Sequence, residues 1–130
     1  MKCFLSSPYA SHLISKQAAI CDALRSLARL RHLHPVIHVD EVAASDRCVW
    51  SPLIQGQVIF WNTGGRWSEE TALKWCLYHL SNAGFDTIII STSPRRRGCT
   101  DTGVDREQAL AFKLGYKIIS EADAENAVIG

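Results

Sequence analysis

Apolar and polar positions recur along this chain at two different periods, and each change of period marks an element. KCFLSS is a short apolar run ending in small polar residues, which predicts a first strand. From Ser11 to about Leu33 the period is helical. Leu13, Ile20, Ala23, Leu24, Leu27 and Leu30 share one broad face, with Lys16, Asp22, Arg25 and Arg29 on the wet side. Pro35 ends that segment. PVIHV predicts a second strand, and RCVWSPLIQGQVIFWN one or two more, interrupted by Pro52 and Gly56. After a TGG loop, Ser68 with Glu69 and Glu70 opens a helix that runs to about Ala83. It turns Leu73, Cys76, Leu77 and Leu80 inward, and Gly84 stops it. DTIIIST is the clearest strand, apolar on both faces as a central parallel strand must be. The loop SPRRRGCTDTG leads into a helix from about Val104, closed by Gly115, and YKIIS is the last strand.

Strands alternating with helices around a doubly buried central strand predict a three-layer α/β/α architecture. The sheet expected is flavodoxin- or Rossmann-like, parallel and of about five strands. Residues 1–130 read as a single domain, without repeats or linkers. A hydrophobic content of 47% with 21% charged residues argues against disorder. A formal charge of +1 is not that of a protein built to bind a nucleic acid polymer. No apolar run approaches the roughly 18 residues of a membrane span, and the N-terminus is a poor signal peptide. The five cysteines are odd in number and contain no CxxC, so they read as reduced, packed thiols in a cytoplasmic protein. His32, His34, His38 and Asp40 lie close together, but no second cluster completes a tetrahedral site, so no metal is expected.

One residue breaks the pattern. Glu107 sits in the middle of an apolar stripe formed by Val104, Leu110, Ala111 and Leu114, while Asp105 and Lys113 point the other way. Two readings fit. It is a buried carboxylate satisfied by backbone N–H groups or an arginine, or it is an acid in the wall of a cleft, aimed at the end of the first strand. Ligands in an open parallel sheet bind beyond the carboxyl ends of the strands. There the loops SSPYAS, Ser51-Pro52 and STSPRRRGCTDTG gather polar groups. Asp101, at the mouth of the same helix, favours the cleft, because two carboxylates in unlike surroundings have divergent pKa values. Trp50, Trp61, Trp67 and Trp75 cluster in the middle third, where they could stack on a base but more readily suggest an apolar subunit interface.

DTGVDRE, preceded by FDTIII and followed by ALAFKLGYKII, resembles the Asp-x-Gly-x-x-x-Glu signature of the nucleoside 2-deoxyribosyltransferases and their nucleotide N-glycosidase relatives. FLSSPYAS looks like the first strand and loop of that superfamily, and CVWSPL like its second strand. The resemblance implies an enzyme that cleaves or transfers the N-glycosidic bond of a (deoxy)nucleoside or its 5′-monophosphate. Glu107 would be the nucleophile and Asp101 the leaving-group acid. Ser6, Ser7, Tyr9 and Ser51, with Thr102 and Gly103, would hold the substrate. Apart from the resemblance, the RRR run at 95–97 reads as a solvated loop or, alternatively, as a lid whose Arg95 and Arg97 meet a phosphate. No cofactor is implied, and a homo-oligomer, dimer or higher, is. Two positions depart from the family: Phe4 stands where many members have a tyrosine, and no acid lies near Tyr78 and His79, where they read the base. A catalytically silent nucleotide-binding module and an NAD-cleaving relative are the alternatives.

Overall fold

The computed structural model describes residues 1–62, 64–98 and 103–126, the side chains of Trp61 and Asn62 excepted. Its centre is a five-stranded parallel sheet in the order β2-β3-β1-β4-β5. The strands are β1 (Lys2–Ser6), β2 (His34–Val36), β3 (Cys48–Trp50), β4 (Thr87–Ile90) and β5 (Lys117–Ser120). The helices are α1 (Lys16–Arg29), α2 (Pro52–Asn62), α3 (Glu69–Asn82), α4 (Gly103–Lys113) and α5 (Glu121–Asn126). This is the three-layer α/β/α architecture expected from the sequence.

The pleat divides the core in two. Phe4, Cys48, Trp50 and Ile88 point to the face covered by Leu80 of α3 and Ala111 of α4. Cys3, Leu5, Val49 and Ile89 point to the opposite face, against Leu27 of α1 and Ala124 of α5. Strands buried on both sides leave no place for polar chemistry along their length. It is therefore displaced to their carboxyl ends, where the chain leaves β1 towards one edge of the sheet and β4 towards the other.

Five local expectations are corrected. The first helix begins at Lys16, because the Ser15 hydroxyl caps it by accepting from Ala18 N–H at 3.0 Å. Leu13 and Leu24, expected inward, are more than half exposed. Residues 52–62 form helix α2 rather than strand, with Pro52 at the first helical position, where its missing N–H costs nothing. Cys21 is exposed rather than packed, and Cys99 lies outside the described residues. Arg29 is not simply wet: its guanidinium binds Glu121, which also accepts from the Ser26 hydroxyl and is 1% exposed.

Trp50 is fully buried, so its use at a subunit interface is also corrected. Its ring meets Phe4, Trp75 and Phe85 at centroid separations of 5.4–5.7 Å. Its indole N–H donates to Gln55 Oε1 at 2.8 Å and Ile37 O at 3.0 Å. Gln55 Oε1 also accepts from Val39 N–H at 2.8 Å, tying the β2–β3 connection to α2. Trp50→Ala is expected to cost about 3–5 kcal/mol in urea unfolding; a loss below about 1 kcal/mol would show that the indole is not the keystone of this face.

Candidate active site

The loops that follow β1 and β4 are laced together. Leu13 N–H donates to Pro94 O at 3.0 Å, Arg96 N–H donates to Ser11 O at 2.8 Å, and His12 and Arg95 form an antiparallel bridge. A buried polar cluster backs this lacing. Ile14 N–H donates to His12 Nδ1 at 3.0 Å, which leaves the proton on Nε2 to bond Asp22 Oδ2 at 2.7 Å. The Ser93 hydroxyl donates to the same oxygen at 2.8 Å. The bond from His12, with that from Ser93, holds the Asp22 carboxyl below its ordinary range. Nothing in sequence spacing marks this His12–Asp22–Ser93 cluster, because its members come from three elements.

Beside the laced loops lies a cleft of about 830 Å³, within the size range of small-molecule sites. Tyr9, Phe60, Trp67 and Trp75 give it aromatic walls, and Glu107 lies in its lining. Gly56 lies inside α2, where an added Cβ would meet the Trp67 ring at 3.8 Å. Lys16 bridges to Glu69 at 3.0 Å, joining the starts of α1 and α3 at two cleft residues.

Glu107 points at the end of β1. It is 5% exposed, and its Oε1 accepts from the Ser6 hydroxyl at 2.7 Å. Burial pushes its carboxyl up to about 8 from 4.5, against the opposing pull of the Ser6 bond. Across from it, burial and the Glu107 charge together push the Cys76 thiol up. Glu121 provides the contrast. That carboxylate is bonded by Ser26, Arg29 and Thr92. Glu121 is a satisfied structural acid; among the described residues Glu107 is held by one hydroxyl, and it faces a cleft.

The structure brings Ser7, Tyr9 and Gly103 to the cleft with Glu107. Ser7 Oγ is buried without a partner among the described residues, as is Ser51 Oγ. Ser6 and Ser51 are not in the cleft lining, although Pro52 and Leu53, next to Ser51, are. Asp101 and Thr102 lie outside the described residues. Of the three loop arginines, Arg96 lines the cleft; Arg95 pairs with Asp105 at 3.0 Å, and Arg97 is exposed and outside the lining. On α3, Tyr78 is 62% exposed, while Glu69, Ala72, Leu73 and Cys76 form the cleft face at helical spacing. Glu69 and Glu70 are therefore the acids of α3 that reach the site. Sequence reading missed the α2 wall, and Pro52 was the signal for it, a proline at the first helical position.

The raised Glu107 value has a consequence for stability. The folded chain keeps a proton that the unfolded chain releases between about pH 4.5 and 8. Stability is therefore undiminished below that window and falls as pH rises through it, by at most about 1.4 kcal/mol per unit. Glu107→Gln removes the titration. Its stability relative to wild type is expected to grow from pH 5 to pH 8 in urea unfolding, and a pH-independent difference would contradict the burial.

Comparison of the chain with protein-family models, characterised proteins and solved structures gives no match.

Proposed function

We propose that the protein cleaves or transfers the N-glycosidic bond of a (deoxy)nucleoside or its 5′-monophosphate. Glu107 is the nucleophile, and the reaction uses neither metal nor organic cofactor. One observation carries this reading: a buried carboxyl, half-satisfied by Ser6, lines a cleft with aromatic walls. A flat base suits those walls, and a sugar held beside Glu107 would present its anomeric carbon.

In the step envisaged, the ionised carboxylate attacks C1′ as the C1′–N bond breaks. The bonding pair leaves on the base nitrogen, which takes a proton, with Asp101 the proposed donor. The resulting glycosyl ester is opened at C1′ by water, giving free sugar, or by the nitrogen of a second base, giving a new nucleoside. Either route returns the carboxylate, and the proton lost by the water or the second base goes to Asp101, which the first step leaves ionised. Arg96 and the unpartnered Ser7 hydroxyl are suited to meeting a 5′-phosphate.

A specific observation favours a second reading. A Glu107 that titrates near 8 is neutral at pH 7 and donates a hydrogen bond, which suits a module that holds a nucleotide without cleaving it. Chromatography of incubations with nucleosides, 5′-monophosphates and NAD separates the readings. Wild-type protein is expected to release base, at a rate that rises with pH through about 8 as Glu107 ionises. Glu107→Ala is expected to lose all but a few per cent of that rate. Tight binding with no base released by either protein would establish the silent binder instead, and release confined to NAD would make it an NAD-cleaving enzyme.

A further inference from the structure

We infer that Ser6 is a positioning residue for the reaction: its hydroxyl pins Oε1 of Glu107, so that Oε2 is the oxygen presented to the anomeric carbon. The inference rests on Glu107 as the nucleophile.

Ser6 is the last residue of β1 and is 0% exposed. Its backbone pairs with Ile90 on β4, and its carbonyl accepts from Ser91 N–H at 3.0 Å. The pleat puts its side chain on the face of Phe4, towards α4. The hydroxyl thus stands on a strand paired on both sides, with one side-chain torsion of its own. Glu107 has three, and a long flexible acid in a cleft wall would otherwise sample several rotamers. The 2.7 Å bond, buried between the two side chains, selects among them.

The two carboxylate oxygens are then chemically different. Oε1 shares its charge with the Ser6 proton, whereas Oε2 has no hydrogen-bond partner among the described residues. As C1′–Oε2 forms and C1′–N breaks, Oε1 becomes the ester carbonyl and keeps its donor. When the ester opens, charge returns to the carboxylate and the Ser6 bond strengthens, because a donor to a charged oxygen is the stronger one. Other titratable groups face the same space: Cys76 from α3, Lys16, Glu69 and Glu70 at the helix starts, Arg96 from the β4 loop and Arg106 on α4 itself. Ser6 is the group bonded to Glu107 among the described residues.

The test compares wild type, Ser6→Ala and Ser6→Thr, each labelled with carboxyl-¹³C glutamate, with Glu107→Gln to assign the resonance. Base release from 5′-mononucleotides and the NMR titration of Glu107 are read on the same proteins. In Ser6→Ala, kcat is expected to fall about 10- to 100-fold with KM changed by less than about twofold. Glu107 is expected to titrate at higher pH in that variant, and Ser6→Thr to recover most of the rate. Wild-type kcat with an unmoved titration in Ser6→Ala overturns the inference. If wild type releases no base, the enzymatic reading fails by itself and the titration still decides Ser6: a shift supports its hold on Glu107, and no shift overturns it.

Discussion

Keeping one carboxyl out of water is the constraint around which this molecule is arranged. At a pH above its folded-state value, burying Glu107 in place of leaving it solvated costs on the order of 5 kcal/mol. That is comparable to the whole stability of many domains. The cost is offset elsewhere. The two apolar faces of the sheet close over Trp50, Phe4, Leu5 and Ile89, and Glu121 is compensated by its bonds from Ser26, Arg29 and Thr92. A fold able to neutralise one buried acid so fully leaves the other, among the described residues, with a single hydroxyl. That difference, more than burial alone, separates a structural carboxylate from one poised for chemistry.

The sheet order explains why this acid lies beside a cleft. Chain leaving β1 and β4 diverges at their carboxyl ends, and α4 brings Glu107 back over the end of β1. The diverging loops would be floppy if nothing joined them. The ladder between residues 11–13 and 94–96, backed by Asp22 with His12 and Ser93, fixes one rim of the cleft. The aromatic walls come from Phe60 of α2, Trp75 of α3, Trp67 just before α3 and Tyr9 in the loop after β1. Rigid rims with a polar group at the base are what a site needs if binding energy is to orient the substrate.

The architecture and the position of Glu107 were legible in the sequence because each depends on local periodicity. A run such as TIII has few alternatives to a buried strand, and an acid among Val104, Leu110 and Ala111 stands out at 3.6-residue spacing. Residues 52–62 were illegible for the opposite reason. β-Branched and aromatic residues, with Gly56 in their midst, carry a strand propensity that packing between the sheet and the cleft overrides. Ser6 and Arg96 were misjudged through one-residue details. The pleat sends Ser6 to Glu107 rather than to the cleft, and the backbone bond from Arg96 to Ser11 selects which arginine of three faces inward. Such choices are made by partners distant in the chain, and spacing does not record them.

The account stands or falls on whether Glu107 becomes bonded to sugar. The most direct measurement is peptide mass spectrometry of protein quenched during turnover of a nucleoside or nucleotide whose 2′-fluorine slows opening of the ester. The account predicts a sugar-mass adduct on the peptide that carries Glu107, absent from Glu107→Gln. Base release by wild type with no adduct, or with the adduct on another residue, would contradict it.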